Sequence, residues 1–122
     1  MALSERDKGV VAGLLVTQGS FGGDGRQPQV SLKLHTRHEP LLRWLVACFP
    51  RSKLYGPYHH GDREFFQWMA RGRALVEEVL PVLDEAGIAD LDPYAAERLA
   101  SMRERYGEFI ARTRLRAEAA GS

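Results

Sequence analysis

The stretch Gly9 to Phe21, GVVAGLLVTQGSF, constrains this 122-residue chain more than any other. Val10, Val11, Leu14 and Leu15 recur at helical spacing, the pattern of a helix with an apolar face. Gly9, Gly13 and Thr17 recur every four residues and form a second stripe of small side chains, on which another helix backbone can pack closely. Glycine costs roughly 1 kcal/mol inside a helix relative to alanine, so Gly13 asks for a packing reason. Ser4 is placed to cap the helix, with Asp7 three residues on in place of the usual Glu or Gln. The run leaves through Gly19-Ser20-Phe21 into Gly22-Gly23-Asp24-Gly25, a strong turn signal. The expectation is a helix from Ser4 to Gln18 that feeds a hairpin.

Downstream, the period changes to two. From Pro28 to Thr36, Val30, Leu32 and Leu34 alternate with Gln29, Ser31, Lys33 and His35, which predicts a strand buried on one face. Pro40 suits a first helical turn, and Leu41, Leu42, Leu45, Val46 and Phe49 mark a second amphipathic helix. Ser52 to Tyr58 and Arg63 to Arg71 form a second hairpin across His59-His60-Gly61-Asp62. On its later strand Phe66, Trp68 and Ala70 share the core face, opposite Phe65, Gln67, Met69 and Arg71. A third helix runs from about Ala74 to Ala86, ended or kinked by Pro81. Asp92-Pro93 starts a last helix, expected over about residues 93–116 with the stripe Leu99, Met102, Tyr106, Phe109 and Thr113. Residues 117–122 are expected to be a frayed, disordered tail. The order is αββαββα plus an extra C-terminal helix. This is an α+β domain over residues 1–122: a four-stranded antiparallel saddle sheet with helices on one face.

Charge is distributed unevenly. Net charge is only +1, but Arg26 to Arg73 holds nine Lys/Arg against three Asp/Glu. Ala74 to Ser122 holds six against ten. A basic middle beside an acidic end favours an anionic partner on one face. No apolar run approaches the roughly 18 residues that span a membrane, and MALSERDKG lacks a secretory pattern, so a cytoplasmic protein without a membrane partner is expected. The lone Cys48 excludes an intrachain disulfide. No phosphate loop, CxxC pair or Ser/His/Asp order supports a nucleotidase, zinc-finger or hydrolase reading. The adjacent His59 and His60 would point to opposite faces of a strand and mark a hairpin tip, so no metal site is assigned.

Val11 to Gly19 aligns without gaps with a nine-residue signature, and Ser20-Phe21 continues it. The strand at Val30 to Leu34, the helix Leu41 to Phe49, the aromatic strand Phe65 to Trp68 and the run Leu80-Pro81-Val82-Leu83 follow in matching order. On these residues the chain resembles a single-motif LAGLIDADG homing-endonuclease-like domain. The resemblance implies a homodimer whose motif helices pair through Gly13, Thr17 and Val10. It also implies two sheets forming a saddle in the major groove of double-stranded DNA, a groove that admits β-ribbons. Lys33, Lys53 and Arg71 are then candidates for phosphates or guanine. Gln29, Ser31, His35 and Gln67 are candidate base readers, Tyr55 is a further DNA-binding candidate on the same face, and Arg26 and Arg37 flank the first hairpin, where they could reach the backbone.

In active members the last acid of the motif binds a divalent metal such as Mg²⁺. Hard cations such as this favour anionic oxygen, and the metal activates water and offsets phosphate charge. That position is Gln18 here, and the motif's other acid position is Val16. Asp24, the nearest acid after the motif, is the remaining weak candidate for catalysis, although a turn role suits it. The leading expectation is a catalytically degenerate DNA-binding homodimer that needs no cofactor. One alternative is a Mg²⁺-dependent DNA endonuclease or nickase with an atypical site. The other is a dimeric scaffold that binds another protein.

Overall fold

The computed structural model describes residues 3–121. The first helix, α1 (Glu5–Gln18), begins where Ser4 Oγ accepts the Asp7 N–H at 3.1 Å. Glu5 and Asp7 sit in its first turn, where the helix dipole favours acids. Val11, Ala12 and Leu15 are buried on its inner side. Strands β1 (Ser20–Gly23), β2 (Pro28–His35), β3 (Lys53–His60) and β4 (Arg63–Arg71) follow in two hairpins. They assemble in the order β1-β2-β4-β3, with every neighbouring pair antiparallel. A 3₁₀ turn (Thr36–His38) and helix α2 (Glu39–Cys48) join the hairpins. The fold is therefore the expected α+β arrangement, a four-stranded antiparallel sheet packed against helices.

The core lies between the sheet and the helices. Val30, Leu32, Phe66, Trp68 and Ala70 point into it from the sheet, as their alternation requires. Leu42, Leu45 and Phe49 meet them from the α2 region. Trp68 is fully buried, with its ring centroid 6.2 Å from that of Phe49. Its indole N–H donates to Ser52 Oγ at 2.9 Å, and the Ser52 hydroxyl donates to Phe49 O at 2.6 Å. A buried indole needs such a partner.

The third helical segment differs from expectation. It opens as a π turn over Leu75–Val79, with the Leu80 N–H bonded to Leu75 O, and becomes helix α3 (Leu80–Ala86). Pro81 falls in the first turn of α3. Within a continuous α-helix its ring would press on the carbonyl four residues back; the wider turn ahead of it relieves that contact.

The C-terminal part also differs. After the short helix α4 (Ile88–Leu91), two helices replace the single one expected over residues 93–116: α5 (Pro93–Arg105) and α6 (Gly107–Gly121). The helix also continues through residues 117–121, where a frayed tail was expected; Ser122 lies outside the described residues. Asp92 caps α5 by accepting the Ala95 N–H. The break falls at Tyr106, whose buried side chain reaches across to the first hairpin and accepts the Gly25 N–H through its hydroxyl at 2.9 Å. Gly107, a poor helix former, follows at once.

Candidate nucleic-acid interface

The sheet face away from the helices is organised in cross-strand rows. Register aligns Gly22, Gln29 and Arg71 in one row, and Ser20, Ser31, Met69 and Lys53 in the next. Lys33, Gln67 and Tyr55 form a third row, and His35, Phe65 and Tyr58 a fourth. Rows two residues apart are about 6.8 Å apart, so the four extend for about 20 Å. None of these thirteen residues is acidic, and three are cationic. The face therefore presents amides, hydroxyls and aromatic rings in a positive field.

Individual side chains are held to different degrees. Lys33, His35, Arg37, Lys53, Arg71 and Arg26 are exposed, whereas Gln29 and Gln67 are half-buried. His35 Nδ1 accepts from the backbone N–H of Arg37 at 3.0 Å and from its Nε at 3.2 Å, which ties both residues to the 3₁₀ turn. Ser31 is buried, at 9 % exposure. Its short side chain stands between Ser20 and Met69, which limits the reach of the hydroxyl beyond the sheet. Around Lys53, Tyr55, Met69 and Arg71 a cleft of about 220 Å³ also takes in Gln27 and Arg51. Arg51 itself is bound to Glu77 and Glu78.

Gly19 explains how α1 reaches this sheet. Its N–H closes the helix on Leu15 O, and a Cβ there would stand 2.5 Å from that same oxygen. Only glycine lets the chain turn into β1 directly over the last helical turn. Gln18 precedes it, exposed at the helix end. Asp24 lies beyond the four residues of β1, about 13 Å of extended chain further on. Its Oδ1 accepts the backbone N–H groups of Gln27 and Arg26, both at 2.8 Å. Those bonds, the one from Gln27 first, hold its carboxyl below the usual range. The carboxylate builds the turn.

The outer side of α1 is apolar but open. Val10 is 40 % exposed, and no atom approaches within 4 Å of a Cβ built at Gly9 or Gly13. The Thr17 hydroxyl donates to Gly13 O at 2.7 Å, folding its polar group back into the helix. A groove of about 360 Å³ follows this side, walled by Ala86 and Leu91 opposite Gly9, Gly13 and Thr17. Lys8 closes one end on Glu85 at 3.0 Å.

No protein-family model matches the chain. No curated protein matches it either. Among solved structures, the group I intron-encoded homing endonuclease I-CeuI, complexed with DNA, superposes with a TM-score of 0.64 at 16 % identity, over 85 % of this chain and 55 % of that one. This is the LAGLIDADG homing-endonuclease fold. The LAGLIDADG homing endonuclease I-LtrWI bound to its target DNA also matches, with a TM-score of 0.48 at 12 % identity, over 86 % of this chain and 45 % of that one. The chain spans about half the length of these two proteins.

Sequence reasoning missed two residues at the far end of the sheet in this LAGLIDADG fold: Tyr58 in the fourth row, and Arg63 beyond it, paired with His60. Tyr55 and Tyr58 are three residues apart, so plain alternation puts them on opposite faces. A bulge between them corrects the phase: Tyr55 pairs with Gln67 and Tyr58 with Phe65, which share a face. The signal was present as Gly56-Pro57 inside a strand, a combination that marks bulges. The second hairpin is also longer than expected, with His59 and His60 in β3 and a two-residue loop, Gly61-Asp62.

Proposed function

We propose that this chain is a double-stranded DNA-binding homodimer on a LAGLIDADG scaffold without metal-dependent cleavage by the motif's route. The observation that carries the reading is the acid-free sheet face, with Lys33, Lys53 and Arg71 distributed over three of its four rows. Charges of this kind bind phosphates and position a protein, while amides and rings between them meet base edges. The I-CeuI structure, a complex with DNA, supports the same partner for the same fold. Support for self-association comes from α1. An apolar, small-residue helix side left in water is the surface a second copy of the helix fits.

The residues at the motif's end do not suit a hard divalent cation. Gln18 offers a neutral carbonyl where a carboxylate would supply charge, and two-fold symmetry would double that deficiency. Asp24 spends one oxygen on two backbone donors. Among the described residues no group of three or more His, Cys, Asp or Glu is placed to hold a metal. No cleavage step is therefore assigned to them.

Fluorescence anisotropy with a random-sequence duplex pool tests the proposal. Binding should weaken steeply with salt. Lys33→Glu with Lys53→Glu should weaken it at least tenfold and flatten the log–log salt slope by about four for a dimer, at about 0.9 per phosphate contact. Sedimentation of that variant should still show a dimer, and no duplex should be cut in Mg²⁺ or Mn²⁺. Equal binding by both forms, or salt-insensitive binding, overturns the DNA reading and leaves a protein-binding scaffold. Metal-dependent cutting overturns the non-cleaving part alone.

A further inference from the structure

We infer that the Tyr58–Phe65 pair, at the far end of the sheet, reads the C5-methyl group of a thymine in the major groove. This rests on the duplex-binding reading and assigns a base preference within it.

Three observations carry the inference. The first is that Tyr58 is turned outward by construction. The bulge inserts one extra residue between Tyr55 and Tyr58. Gly56 in that bulge has φ 114°, and a Cβ there would meet Phe65 O at 3.1 Å. A side chain is disfavoured at such a φ, so the strand is built to keep this irregularity. Its effect is to bring Tyr58, 43 % exposed, onto the cationic face beside Phe65.

The second is the way the rings are held. Their centroids lie 5.6 Å apart at 46°. On the other side of Phe65, from strand β2, Lys33 Nζ stands 5.5 Å from the ring centroid. Phe65 thus has a tyrosine ring against it from one neighbouring strand and an ammonium from the other. Tyr58, the exposed partner, leaves apolar ring surface open on the cationic face, suited to a small apolar group. In duplex DNA the thymine methyl is the apolar group displayed in the major groove.

The third is the setting. The pair lies in an open depression of about 750 Å³ whose lining includes Lys33, His35, Arg37 and Arg63. Asp62 and Glu64 also line it, both from the hairpin tip. An apolar floor beneath several cations fits an anionic backbone that carries one apolar feature. A neutral peptide would gain nothing from the cations, and a free phosphate nothing from the rings.

Duplexes enriched by the full chain from a random pool provide the test. Each thymine of an enriched duplex is replaced in turn by uracil, which lacks only the methyl. One thymine per half-site should lose about fourfold in affinity, the equivalent of roughly 0.8 kcal/mol for one buried methyl. Phe65→Ser, which removes the contact from both half-sites of a homodimer, should bind the thymine duplex about sixteenfold more weakly, twice the roughly 0.8 kcal/mol of one methyl, and no longer distinguish uracil. Uracil tolerated at every position by the unmodified chain overturns the inference, and that arm depends on no variant folding. Unchanged thymine–uracil discrimination in Phe65→Ser overturns it too. Failure to enrich any duplex, or tighter binding to single strands, removes the duplex reading with it. Enrichment without thymine discrimination removes only this inference.

Discussion

Ser52 shows how much one small side chain can hold. Its hydroxyl accepts from the Trp68 indole and donates to Phe49 O, so it joins the end of α2 to the centre of β4 inside the core. Ser52→Ala leaves the indole N–H buried without a partner. The expected cost is about 1–3 kcal/mol, read as a lower midpoint in urea with an unchanged slope. Residue-level roles were legible where they follow from local chemistry. Ser4 as a cap, Asp24 in its turn and Trp68 in the core all depend on neighbours close in sequence or on simple alternation. Ser31 was not legible. Its exposure is set by Ser20 and Met69 on other strands, and no one-dimensional pattern contains the height of a cross-strand neighbour.

At the level of elements, α1 carries the main question. Nothing within the protomer approaches a side chain added at Gly13. A protomer alone should then gain helix propensity from Gly13→Leu, since leucine is a far better helix former than glycine. A homodimer paired through this side should lose its close backbone approach. The expected outcome is a shift from dimer to monomer in sedimentation, with helicity kept; a wild type that is already monomeric would end the pairing model. Strands and helices were legible because their apolar periods differ. The exceptions have a common cause, which is that tertiary demands reset a local pattern. Pro81 is accommodated by a π turn rather than a kink. Gly56-Pro57 is absorbed as a bulge, which changes the face on which every later residue of β3 lies.

For the whole molecule, sequence gave the sheet and the sign of its field, because alternation and charge both survive projection onto a line. It did not give the role of the last third of the chain. The stripe Leu99, Met102 and Tyr106 was legible but its partner was not: with Ile110 these residues join the one core shared by sheet and helices. Tyr106 ends α5 and, through its hydroxyl, holds Gly25 in the turn between β1 and β2. That turn carries Arg26 and leads into Gln29 and the row it shares with Arg71. The two C-terminal helices therefore act as a splint for one end of the cationic sheet face. Tyr106→Phe keeps the ring and removes the oxygen. Hydrogen exchange at the Gly25 amide should speed up at least tenfold in that variant, while exchange in β4 stays unchanged. Anything that docks on or displaces those helices would then alter how firmly the sheet's edge is aimed, without touching a residue of its outer face.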